Sequence, residues 1–139
     1  MKIILQSNNE FVVRLDKGEE VLSSLEEFMK TQQITACSFS GIGAIDTLEL
    51  AFYNTHLKEY RKKPFLEELE VLSFSGTGSM KDGQAFIHSH GVFGRTDFSV
   101  FGGHVFKLVV SVTLELHLTK LEGELKRELN ADANLNLLV

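Results

Sequence analysis

The chain has 139 residues, 43% hydrophobic and 24% charged, which suits one domain with one sizeable core and excludes a disordered polymer. Its net charge is −5, with 19 acidic against 14 basic residues, so it has no general attraction to nucleic-acid phosphates or an anionic membrane. No stretch approaches the roughly 18 apolar residues of a membrane span, and Met1–Gln6 has too few apolar residues for a signal-peptide core.

Phe11–Leu15 predicts a first strand. Asp16 is placed to cap a helix whose first turn holds Glu19 and Glu20, where the helix dipole favours acids. Val21, Leu22, Leu25, Phe28 and Met29 then share one stripe, which predicts an amphipathic helix from Gly18 to about Gln32. Beyond it the pattern has period two. Ile34–Ser40 predicts a buried strand that contains the lone cysteine, Cys37, as a small core residue. With no second cysteine there is no internal disulfide, and a cytoplasmic location is expected.

Gly41–Ala44 predicts a small-residue bend and Leu48–Asn54 the next strand. His56–Lys63 predicts a polar loop whose Lys58, Arg61, Lys62 and Lys63 form the one basic cluster. The only proline, Pro64, follows it, and no proline-rich linker divides the chain. Leu69–Ser75 predicts a strand closed by Gly76-Thr77-Gly78. Ala85–Phe93 and Val100–Phe106 predict a hairpin. In Val109–Leu118, residues Val110, Val112, Leu114, Leu116 and Leu118 alternate with Ser111, Thr113, Glu115, His117 and Thr119, a half-buried strand with one polar face. Leu135–Val139 completes the chain as a short strand. One helix and six or more strands joined mostly by short turns imply an α+β fold with a largely antiparallel sheet, over a single domain spanning residues 1–139.

Three histidines stand out. His88 and His90 are two apart in a strand and share a face with Phe86 and Val92, which suggests that they point inward. If the hairpin folds about Thr96, His88 falls opposite His104 and His90 opposite Gly102, with paired Cβ atoms roughly 4.5–5.5 Å apart. A register shifted by two residues would keep the same face; a shift of one would not. A lone histidine here would read as a hydrogen-bonded core residue. His-x-His with a third histidine on the adjacent strand reads instead as a ligand set for Zn²⁺ or another divalent ion, with a fourth position open to water or a small-molecule ligand. His56 and His117 read as solvated.

An open metal site invites a general base. Glu70 lies in the otherwise apolar Leu69–Phe74 and is the candidate for proton transfer; its other reading is an anchor for a loop or subunit contact. Glu49 and Glu115 fit a solvated sheet face. No Walker loop, dinucleotide fingerprint or nucleophile motif is present, and Gly76-Thr77-Gly78-Ser79 lacks the Lys-Ser/Thr of a P-loop.

Arg14–Glu20, Ser40–Ala44, Glu70–Gly76, His88-Ser89-His90 and Gly102–Val105 occur in an order and spacing that resembles the plant-and-prokaryote conserved (PPC) domain, with Thr113-Leu114-Glu115 also fitting. The resemblance runs from about Phe11 to the C-terminus. It implies an α+β fold related to the acetolactate decarboxylase superfamily, a homotrimer as in prokaryotic members, and zinc on the residues matching His88, His90 and His104. Prokaryotic members are often described as candidate DNA-binding proteins through their plant counterparts, where the domain follows an AT-hook. This chain has no Arg-Gly-Arg-Pro core of such a hook. Where the plant hexapeptide has Gly-Arg-Phe-Glu-Ile-Leu, it has Glu67-Glu68-Leu69-Glu70-Val71-Leu72, which keeps the glutamate and loses the glycine and arginine. The leading expectation is a metal-binding homotrimer of unassigned activity. The alternatives are a DNA-binding or regulatory protein and a zinc enzyme acting on small molecules, with the acidic charge and lack of a helix-turn-helix arguing against direct duplex binding.

Overall fold

The computed structural model describes residues 1–139. In chain order the elements are β1 (Lys2–Ser7), β2 (Glu10–Asp16), α1 (Val21–Thr31), β3 (Cys37–Asn54), β4 (Glu59–Lys81), β5 (Gln84–Gly94), β6 (Val100–Lys120), β7 (Arg127–Asn130) and β8 (Leu135–Leu138). The main sheet has the order β1-β2-β6-β3-β4-β5, and β5 returns to pair with β6. Every named pairing is antiparallel, so the fold is the expected α+β architecture with one helix. Strands β3, β4, β5 and β6 thus close on themselves, and closure removes sheet edges that would otherwise need a partner. No helix is long and apolar enough to cross a membrane.

The helix starts later than its sequence pattern suggests. Asp16 ends β2, and Gly18 turns the chain at φ +86°, a region where glycine pays no Cβ penalty. Glu20 is the cap: its carboxylate accepts from the backbone N–H groups of Leu22 and Ser23, and also from Leu108 on β6 at 3.2 Å. One side chain therefore satisfies orphan helix donors and pins the helix to the sheet. Val21, Leu25, Phe28 and Met29 are buried from α1, and one continuous apolar core joins them to residues of β2 to β6.

The expected bend at Gly41–Ala44 is strand. Gly41 and Gly43 lie where β6 passes close by; an added Cβ would come within 2.2 Å of the Glu115 carbonyl oxygen and 2.3 Å of that of Thr113. Their small size serves contact between strands, not a turn. Beside them β6 bulges: Gly43 pairs with Leu114 and Ile45 with Val110, so residues 111–113 face Ala44 alone. The bulge turns Val112 outward to 69% exposure, against the simple alternation that put it with Val110 and Leu114.

The polar loop shrinks to a turn before β4. Asn54 Oδ1 accepts from the N–H groups of His56 and Leu57, a local contact that favours turning. β4 then runs through Pro64 and through Gly76–Gly78 to Lys81. Proline is tolerated because this part of β4 pairs with β3 alone and leaves its other edge free.

The β5–β6 hairpin is shifted by two residues from a fold about Thr96: His90 pairs with His104 and Val92 with Gly102. Its turn is closed by Arg95 and Phe98, with Phe98 at φ +64°. Parity is kept, but the direction differs from expectation. Ser89, Gly91 and Phe93 face the core, and His88, His90 and Val92 face outward. The fully buried Phe93 sets this choice; a Cβ on Gly91 would lie 2.4 Å from its ring. The short last strand is present as β8, paired with β7 in a hairpin. That hairpin is tied down through Met80 N–H to the Leu125 carbonyl at 2.7 Å and Asn134 Nδ2 to the Lys58 carbonyl at 3.2 Å. β1 had not been apparent in the sequence because Ile3, Ile4 and Leu5 are consecutive and all exposed.

Candidate metal centre

β5 supplies His88 and His90 and β6 supplies His104. The ring centroids are 5.4 Å apart for His88–His90 and 5.1 Å for each pair with His104. One nitrogen from each ring lies within 4.8 Å of the others. Two imidazoles bonded at about 2.1 Å to one tetrahedral zinc ion have nitrogens about 3.4 Å apart, so the rings must draw together by roughly an ångström to share a common ion. The donor set fits a divalent metal: three imidazoles, no competing carboxylate in the cluster, and a side open to solvent at His90.

Electrostatics keeps the donors free. Burial, with the nearby His88, His90, Lys62 and Arg127, pushes the pKa of His104 down to about 4. His88 is lowered too, by burial first and then by Arg127 and His90. Both rings are therefore neutral at pH 7 and offer a lone pair, which a protonated ring lacks. Packing orients His104: Tyr60 lies 5.0 Å from it between centroids, and Phe106 4.9 Å.

The structure does not bring Glu70 to this cluster. Glu70 pairs with Ala44 and Gly94, whereas the β4 residue opposite His90 is Ser75. Five residues of strand separate them, roughly 17 Å at the usual rise. Glu70 is exposed and lines a 640 Å³ surface cavity with Leu72, Val100 and Val112. At that separation it is out of reach for proton transfer at the histidines of its own chain. His117 pairs with Glu10 on the polar side of β6, and His56 is exposed in the turn before β4. Cys37 is buried, and burial pushes its thiol up to about 11.

Two residues beside the cluster were not singled out in the sequence. Tyr60 sits in the stretch that reads as a polar loop. Arg127 sits in the tail, where no clear period marks it. Arg127 is only 7% exposed, and its guanidinium donates to Ser79 Oγ at 2.9 Å, the Asn136 carbonyl at 2.9 Å and Thr77 Oγ1 at 3.4 Å. Thr77 is the residue opposite His88. A hairpin folding a buried arginine onto a neighbouring strand leaves no periodic trace in the sequence.

The Plants and Prokaryotes Conserved (PCC) domain matches residues 4–122. The chain belongs to this family. A search of curated proteins found no match. Among solved structures, this PCC chain is similar to a metal-containing protein from Archaeoglobus fulgidus, at 36% identity over 100% of this chain and 99% of that one, with a TM-score of 0.89. It is similar to a candidate DNA-binding protein from Bacteroides thetaiotaomicron at 30% identity, over 97% and 94% of the two chains, with a TM-score of 0.93. α-Acetolactate decarboxylase from Bacillus subtilis shares the fold at 14% identity and a TM-score of 0.59, over 87% of this chain and 56% of that one.

Proposed function

We propose that this PCC protein is a divalent-metal-binding homotrimer, with zinc held by His88, His90 and His104 and an open position facing solvent. The observation that carries the reading is the convergence of three imidazole nitrogens, within 4.8 Å, from two paired strands. The metal-containing relative from Archaeoglobus fulgidus supports it. A divalent ion held by three imidazoles is a Lewis acid toward whatever small molecule enters the open position. The chain's own part is to hold His88 and His104 neutral, to lock His104 against Tyr60 and Phe106, and to leave His90 accessible.

Assembly is supported by apolar residues on the outer side of the sheet. Ile42 is 60% exposed, Val100 58% and Val112 69%, and Leu72 lies beside them. A copy of the same chain is the partner that the family resemblance names. A cytoplasmic location fits the single buried thiol. The DNA-binding reading draws on the described role of the Bacteroides thetaiotaomicron relative, and it ranks second because this chain is acidic. Metal analysis of the purified protein tests the first reading: about one zinc or other divalent ion per chain is expected, and none after full incubation with zinc would overturn it.

A further inference from the structure

Arg127 is a buried cation with no anion. Its three hydrogen-bond acceptors are two hydroxyls and a carbonyl, all uncharged, and no carboxylate forms an ion pair with it. A guanidinium carries five N–H groups, so two remain on its terminal nitrogens. Burying a charge without a counter-ion is costly, and neutral acceptors offset only part of that cost. A neutral side chain such as glutamine could tie the hairpin to Thr77 and Ser79 at lower cost. The charge calls for another explanation.

Its position supplies one. Thr77 and Ser79 pair with His88 and Phe86 across β4 and β5, and the guanidinium lies 5.3 Å from the Phe86 ring centroid. Arg127 is therefore on the histidine side of the sheet, one strand from His88. A divalent ion on three neutral imidazoles brings two positive charges and no negative one, and Lys62, stacked 3.7 Å over Phe106, adds a further cation at the same end. Lys62 has its own carboxylate in Glu49 at 3.1 Å, but neither the three histidines nor Arg127 is paired with an anion. Arg127 also lies beyond residue 122, where the PCC match ends, in a hairpin that this chain folds back over the sheet.

We propose that Arg127 and the open metal position together form a binding site for a small carboxylate, with the guanidinium as its counter-ion. The inference rests on the metal reading above. A guanidinium with two N–H groups to spare is able to donate to both oxygens of a carboxylate, and charge-assisted pairs of this kind are roughly twice as strong as neutral hydrogen bonds. Tyr60 and Phe106 wall the same end with rings, which suits a ligand with a small apolar part.

The test uses the full-length protein loaded with Co²⁺, whose visible absorption reports entry of a ligand into the metal's coordination. Metal content is measured first and acetate is then titrated, with acetamide as the uncharged isostere. Acetate should perturb the spectrum and acetamide should not. R127M should weaken acetate binding about 10-fold or more, and R127K should recover part of the loss. In ¹⁵N-labelled wild-type protein the Arg127 Nε–Hε resonance should move on adding acetate, which decides the matter even if R127M does not fold. Stoichiometric cobalt with an unmoved Arg127 resonance, or with equal acetate affinity in wild type and R127M, overturns the carboxylate site and leaves the metal reading standing. Failure to bind cobalt overturns both.

Discussion

The outer side of the sheet has two unlike ends. At one, His88, His90 and His104 meet Tyr60, Phe106 and the buried Arg127, under a hairpin made by the C-terminal residues. At the other, Ile42, Leu72, Val100 and Val112 stand in solvent around Glu70, each at least 49% exposed. Val92 lies between them, two residues from His90 and opposite Gly102. The same strands build both ends, so the difference comes from side chains and local bulges. The polar end concentrates positive charge and lone pairs, which a metal and an anion would use. The apolar end leaves hydrocarbon in water, which another protein surface would cover.

The largest expected effect separates the ends outright. His88→Ala and His104→Ala should each abolish stoichiometric metal binding, because two imidazoles do not make a tight open site. Val112→Asp, at the apolar end, should leave metal content unchanged. Elemental analysis of the purified variants checks both. Unchanged metal in both histidine variants would break the assignment of the polar end.

The complementary experiment concerns assembly. Wild type should scatter light as a trimer at micromolar concentration, and Ile42→Asp with Val112→Asp should scatter as a monomer, since burying two unpaired carboxylates in an apolar contact is unfavourable. His104→Ala should remain a trimer. A monomeric wild type would remove the proposed role of the apolar end. Closure of β5 onto β6 matters here, because it leaves no open edge beside the apolar end of these strands, and the exposed side chains are what remains to be covered.

The two ends also differ in how far the sequence disclosed them. His88, His90 and His104 could be grouped because strand parity survives an error of two residues in register, and the hairpin does differ by two. Their outward direction could not be read, because Phe86 and Val92 are apolar and yet lie on the outer side. Phe93 and the close approach at Gly91 decide the matter, and both are tertiary facts. Val112 illustrates the same limit: perfect alternation in Val109–Leu118 hides a bulge. Gly41 and Gly43 announced that something unusual happens, but turn and close packing share one composition. The placement of Glu70 far from the histidines follows from β4 being one long strand, which Pro64 and the glycines disguised.

A smaller effect tests the opposite, core side. Glu20→Ala should cost about 1–2 kcal/mol in denaturant unfolding, typical of a lost helix cap, because Leu22, Ser23 and Leu108 each lose an acceptor. Metal content should not change, since the helix packs on the core and not on the outer side. A loss of metal would show that the two sides are coupled through β6.

A pH effect on metal-free protein returns the test to the polar end. His104 titrates near 4 when folded, against about 6.5 in an unfolded chain. Between these values the unfolded state binds the extra proton, so stability is full above the unfolded value and falls as pH drops through this window. Thermal melts of metal-free wild type should show a steeper decline from pH 6.5 toward 4 than those of His104→Ala. Equal slopes would mean that the ring is not desolvated as described.

The smallest expected effect is on duplex DNA, where no tight binding should be seen. Lys58, Arg61, Lys62 and Lys63 form the one basic cluster, but Arg61 to Lys63 belong to β4, so neighbouring side chains point to opposite faces. Lys62 is engaged by Glu49 at 3.1 Å and by the Phe106 ring, and Lys63 leans toward Phe65 at 5.1 Å. A phosphate backbone needs several cations on one surface, each releasing a counter-ion, to overcome a chain with 19 acids and 14 bases. An anisotropy titration at about 150 mM salt should therefore show no submicromolar binding. Submicromolar binding that weakens steeply with salt and is lost in Arg61→Ala with Lys63→Ala would show that assembly gathers these split cations into one surface. The basic strand would then be a functional end of the molecule in its own right, beside the histidines.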